Sequence, residues 1–188
     1  SYWRTGLRLA QQWRVRLGLP EKREYDEVLR KLSPLPVEEG VYVSWENIER
    51  MWTSYNWEHP ALVGAYGMLP GDGVDIPTMR RTLAKVHAEW KLGETWGWDF
   101  PMLATCAARL GDPERAGEYL LDYPAFDFDP HGLVGGGRAP FPYFPGNGGL
   151  LYAVAMMAAG WDGAPAGDAP GFPEKGWVVR SEGLRRAL

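Results

Sequence analysis

Apolar residues recur along this chain at helical spacing and rarely alternate. The clearest period runs from Ile76 to Trp90, where Ile76, Met79, Leu83, Val86 and Trp90 share one helix face. Asp75 stands before it as an N-cap and Pro77 suits its first turn. Trp3 to Leu17 keeps a rougher helical period through Trp3, Leu7, Ala10, Val15 and Leu17, and "GLP" ends it. A second helix is predicted from about Glu21 to Leu32, with Tyr25, Val28, Leu29 and Leu32 on one face. Two later segments, Phe100 to Leu110 and Gly148 to Ala159, are apolar nearly all round, so both are predicted to be buried on most sides. Between them Asp112 caps a helix opening at Pro113, with Glu114 and Glu118 in solvent. Weaker signals give a strand or extended run at Val41 to Trp45, a helix at Glu46 to Trp52, and another from Pro60 to about Gly67.

Asp122 to Asn147 reads as one long loop rich in Gly, Pro and aromatics, a length that inside a domain goes with function or disorder. Its six aromatics argue for order. The tail from Gly171 to Leu184 reads as extended, with a hairpin around Glu174 to Gly176. Helices that pair across short turns, nearly apolar ones beside amphipathic ones, predict an all-α fold in packed layers and no βαβ sheet.

Composition narrows the function classes. The 188 residues carry a net charge of −4, which argues against a nucleic-acid surface. The longest apolar run, Gly149 to Gly160, is too short to cross a bilayer, and the arginine-bearing first residues do not resemble a signal peptide. One cysteine allows no internal disulfide and leaves the compartment open. Ten tryptophans, with 24 Gly and 16 Pro, suggest loops of defined shape held by a helical scaffold, where binding groups often sit. Core filling explains tryptophans equally well.

Four stretches, in order, resemble a known family. NWEHPALVGAYGMLPGDGVD is similar to the His-rich helix and "YGLYPG" loop of glycoside hydrolase family 95, the α-L-fucosidase group. ETWGWDFPMLATCAARLGDPERAGEYLL resembles its "GWS…W…ARL…A…LL" stretch. FPGNGGLLYAVAMMAAGWDG stands in the place of its "IDGNFG" segment and the helix after it. GFPEKGWVVRSEGL looks like the passage from the helical barrel to a C-terminal β domain. The resemblance covers about Val41 to Leu184.

That family belongs to the six-hairpin glycosidases, whose catalytic domain is an (α/α)6 barrel. The resemblance therefore implies α/α toroid-type hairpins, with residues 1–162 as the C-terminal half of such a barrel. Residues 163–188 would be an extended tail leading toward a β segment. It further implies a general acid upstream of Ser1, inactivity of this chain alone, and either an oligomer or a missing N-terminal half. The family's aspartate in "IDGN" is replaced by Pro145, so neither that residue nor fucosidase specificity carries over.

Glycoside hydrolysis uses an acid and a base, commonly two carboxyl groups, about 6.5–9.5 Å apart in an inverting mechanism. Sugar rings stack on aromatic faces, and their hydroxyls bond to carboxylates, amides and imidazoles. Three junctions interleave these types: Trp57-Glu58-His59, Trp96-Gly97-Trp98-Asp99, and Tyr143 to Asn147. The expected site has Asp99 and Glu58 as catalytic carboxylates, with Trp57, His59, Trp96, Trp98 and Asn147 binding a carbohydrate. Each has a plain alternative: Asp99 caps the helix at Phe100, Asn147 caps the helix at Gly148, and Glu58 and His59 lead into a helix at Pro60.

No metal or cofactor is implied, since the three histidines are dispersed and no Cys/His cluster exists. Cys106 reads as an inert buried thiol, and Gly135 to Gly137 lacks the Lys-Ser/Thr of a phosphate loop. A phosphorylase of the same architecture is the first alternative, with the turn at Gly146 to Gly149 offering N–H groups to an anion. A non-catalytic carbohydrate-binding or scaffold protein is the second.

Overall fold

A computed structural model describes residues 1–188. Seven α-helices dominate: α1 (Tyr2–Arg16), α2 (Arg23–Lys31), α3 (Met51–Ser54), α4 (Ile76–Glu89), α5 (Asp99–Arg109), α6 (Pro113–Leu121) and α7 (Phe144–Ala159). The only sheet is a hairpin of β1 (Val37–Glu38) and β2 (Val41–Tyr42). Its two turn residues, Glu39 and Gly40, both have positive φ, as a tight hairpin of this hand requires. The chain is mainly helical, as its periodicity predicts.

The centre is α5, of which every residue is buried. It packs against α6, α7, α4 and a single 3-10 turn at Val63–Tyr66. Helix α4 buries one face, with Met79, Leu83 and Val86 inside, and the Asp75 carboxylate accepts from the Thr78 N–H at 2.9 Å. Asp112 caps α6 in the same way, through the Arg115 N–H at 3.0 Å. Arg109, at the end of α5, donates to the Gly67 carbonyl at 2.9 Å and stacks near Trp161. Cys106 is buried and its thiol is pushed up by desolvation, which makes it unreactive.

Several sequence expectations need correction. The predicted helix from Pro60 to Gly67 is only a 3-10 turn, because Gly64 and Gly67 press against α5. A Cβ on Gly67 would lie 2.9 Å from the Cys106 backbone nitrogen. The helix predicted at Glu46 begins only at Met51, since Asn47 and Arg50 take left-handed conformations. No hairpin forms near Glu174; the tail bends there instead. The chain end folds back, with the Ala187 N–H donating to the Gly160 carbonyl at 3.0 Å and Arg109 bonding to Leu188.

Helix α7 departs most from expectation. Gly146, Gly149, Ala153, Met156 and Met157 face the core, but Phe144 is 64% exposed and Leu151 73% exposed. Nothing in the chain covers that apolar side. Helices α1 and α2 are also loosely attached: Trp3 and Trp13 lie mostly in solvent. What joins the pair is polar, with Gln11 bonding to Lys22 and Asp26. The chain exposes 11084 Å², whereas a compact monomer of this mass exposes about 9,000 Å². No helix is long and apolar enough to cross a membrane.

Candidate functional site

The site is built where two glycine-bearing loops cross. A Cβ on Gly97 would stand 2.4 Å from the Gly135 carbonyl oxygen. One on Gly136, at φ 116°, would stand 2.1 Å from the Gly97 nitrogen. One on Gly137 would stand 2.2 Å from the Thr95 oxygen. Backbone lies on backbone at all three points, so no side chain can move aside. The Gly135–Gly137 run thus saddles the segment from Glu94 to Gly97. Arg138 follows directly. Its guanidinium pairs with Glu94 at 2.8 Å and sits 4.1 Å above the Trp57 ring.

This crossing fixes Trp96 and turns Asp99 inward. Asp99 is the first residue of α5, and its carboxylate is fully buried. It reaches back rather than forward: Oδ2 accepts from the Trp96 N–H at 3.0 Å, and Oδ1 lies 2.7 Å from His59 Nδ1. The expected cap on a helix beginning at Phe100 is therefore not made. The reason is local. Pro101 has no N–H to offer, and the Met102 N–H already donates to the Trp98 carbonyl. Burial pushes the Asp99 carboxyl up to about 6, against the opposing pull of His59 and the Trp96 N–H.

His59 lies above that carboxylate with its side chain 34% exposed. Its ring is 4.2 Å from Trp96, tilted by 36°, and meets Trp98 edge-on at 5.7 Å. Trp57 continues the series, 6.2 Å from Trp96. Arg138, Trp57, Trp96 and His59 thus form a ladder of planar groups, the three rings half-buried. Trp98 sends its Nε1 to within 3.0 Å of His59 Nδ1. Its ring lines an apolar cleft of about 540 Å³ with Tyr2, Ala61, Ala65, Met68 and Met102.

The structure brings together five of the expected residues: Trp57, His59, Trp96, Trp98 and Asp99. The other two stand apart. The Glu58 side chain is half-buried and makes no hydrogen bond or ion pair, while its backbone oxygen accepts from Trp90 Nε1 at 2.6 Å. Asn147 caps nothing, because α7 begins at Phe144; it lies inside the first turns and donates to the Gly132 carbonyl at 2.6 Å. That early start puts the helix N-terminus at Phe144, ahead of the anion-binding turn expected at Gly146 to Gly149, which is helical.

Two neighbours were not among the expected site residues, although one of them, Tyr143, opens the third junction. Arg138 is one. Tyr143 is the other: its hydroxyl is pushed up by burial and then by the Asp99 charge. Both follow Gly/Pro runs in the long loop, and only the fold shows which way they face. Compared with known proteins, the chain matches no family model, no curated protein and no solved structure.

Proposed function

We propose that this site binds a carbohydrate, and that the chain is part of a glycoside hydrolase of the six-hairpin (α/α)6 type. One observation carries the reading. An imidazole and two indoles, stacked in series, lie at a half-exposed surface and are backed by a buried carboxylate. Aromatic groups beside directional hydrogen-bonding groups are what a pyranose ring calls for. The four sequence stretches that resemble family 95 support the same class. The excess of exposed surface and the bare apolar side of α7 support a second half of the toroid, or another copy, packing there. Sedimentation should then show self-association of this chain at micromolar concentration; a clean monomer at every concentration would speak against a self-sealing surface.

A second reading has its own observation. The Asp99 carboxylate is fully buried and tied to His59, and the Glu58 side chain has no partner to orient it. A non-catalytic carbohydrate-binding surface needs no acid–base pair of carboxylates. Both readings require sugar binding, and calorimetric titration with a panel of plant and host oligosaccharides tests it. At least one should bind, and Trp96→Ala should weaken it by about tenfold or more, because Trp96 is the middle rung that holds Trp57 and His59 in place. Absence of binding across the panel at millimolar sugar would reject both readings.

A further inference from the structure

We propose that His59 is the proton-exchanging group of this site, with Nε2 meeting the ligand and Asp99 as the residue that positions the ring. The chemistry of the ligand rests on the carbohydrate reading above; the state of the imidazole does not.

The three histidines of the chain make the case by contrast. His131 is 84% exposed on its side chain, beside Asp129 at 3.6 Å, with only its backbone N–H held, by the Asp129 carboxylate at 2.9 Å. His87 has both ring nitrogens occupied: Arg115 donates to Nε2 at 2.9 Å, and Nδ1 faces the Tyr119 hydroxyl at 3.3 Å. It serves to join α4 to α6. His59 alone is held on one side and open on the other. Nδ1 is tied to a fully buried carboxylate at 2.7 Å, Trp96 packs on the ring, and Nε2 has no partner within the protein.

The tie at one nitrogen decides the chemistry at the other. With Asp99 ionised, Nδ1–H donates to Oδ1 and Nε2 carries a bare lone pair. Nε2 can then take a proton from a ligand hydroxyl or a bound water, and the imidazolium formed is stabilised by the carboxylate beneath it. Adding one proton to the pair reverses the roles, and Nε2–H becomes a donor. In the neutral tautomer with a bare Nδ1, the Trp98 indole N–H has an acceptor at 3.0 Å. One in-plane position on Nδ1 serves one partner at a time, so Asp99 and Trp98 favour opposite tautomers. The other charged or titratable groups near this pair are Tyr143, which feels the Asp99 charge, and the Glu94–Arg138 pair at the far end of the ladder. Burial holds the Asp99 carboxyl above the usual carboxylate range.

Nitrogen-15 NMR of the full chain, labelled at histidine, tests this without any sugar. Near neutral pH, His59 should show the tautomer protonated at Nδ1, with a strongly low-field Nδ1 proton. In Asp99→Asn that signal should vanish and the proton should move to Nε2. Carbethoxylation of Nε2 by diethyl pyrocarbonate should slow in that variant, because Nε2 then carries the proton and has no bare lone pair. His131 provides the reactive reference and His87 the protected one. If Asp99→Asn does not fold, the wild-type tautomer alone decides. His59 protonated at Nε2 in the wild type, or unchanged by the substitution, would overturn the proposal. Either result leaves the carbohydrate reading standing, just as a failure to bind oligosaccharides would leave the tautomer untouched.

Discussion

Gly136→Ala should destabilise the chain by more than about 3 kcal/mol, since left-handed backbone strain and overpacking each cost about 1–3 kcal/mol. Gly136 has φ 116°, and its new methyl carbon would lie 2.1 Å from the Gly97 nitrogen and 2.6 Å from the Gly97 Cα. Neither neighbour is a side chain, so relief requires one loop to lift off the other. That lift moves the Trp96 N–H away from Asp99 and removes a bond that holds the buried carboxylate. Gly132→Ala is the control. It also has positive φ, 78°, but nothing lies within 4 Å of its added carbon. Strain alone remains there, about 1–2 kcal/mol. Urea unfolding of the two variants separates the effects. Equal losses would mean that the crossing is slack and that Trp96 is placed by something else.

Asp99→Asn should gain stability relative to wild type as the pH rises from 4 to 7, while it disables His59. The Asp99 carboxyl ionises near 3.8 when exposed and is pushed up to about 6 by burial in the fold. Between those values the folded chain holds a proton that the unfolded chain has released. Wild-type stability therefore falls as pH rises through this window, and above about 6 the buried charge is carried at full cost. That shift of about two units corresponds to about 3 kcal/mol. Asparagine keeps an oxygen for the Trp96 N–H and carries no charge. Plotted against pH, the difference between variant and wild-type stability should climb by up to about 3 kcal/mol from pH 4 to pH 7. A flat difference would show that the carboxylate is solvated well enough to ionise normally. A residue kept at a cost to stability is what a working site commonly contains.

Much of the helical frame is legible in the sequence because local signals agree there. Helices α4 and α6 each have a period, a proline in the first turn and an aspartate that caps as expected. The all-apolar run of α5 is buried on every side, as such a run demands. Helix α7 has an equally apolar sequence but no neighbour on its outer side; composition states that burial is favourable, not what supplies it. Its start is hidden by Gly146, Asn147 and Gly149, which read as a turn. In the fold Gly146 and Gly149 allow close packing instead: a Cβ on Gly146 would lie 2.7 Å from Val134, and one on Gly149 would lie 3.1 Å from Pro101.

The site is half legible. Aromatic and polar residues interleave in Trp57-Glu58-His59 and in Trp96-Gly97-Trp98-Asp99, and these two segments do meet. Their division of labour is invisible before folding. Asp99 turns under and His59 faces out because of a backbone bond three residues back and a partner forty residues away. Pro101 was the available sign that Asp99 would cap poorly. Glu58 lies next to His59 in sequence, yet no contact links its side chain to Asp99. The glycine run at Gly135 has meaning only against Gly97, which no local pattern predicts.

Indole NMR during an oligosaccharide titration tests the central claim most directly. Each of the ten tryptophans gives its own indole N–H signal, so the binding surface reports its position. The signals of Trp57, Trp96 and Trp98 should move together and saturate, while those of Trp13 and Trp177, exposed and outside the cluster, should stay fixed. No saturable movement with any oligosaccharide, or movement centred on Trp13 or Trp177, would contradict the assignment of this surface to sugar.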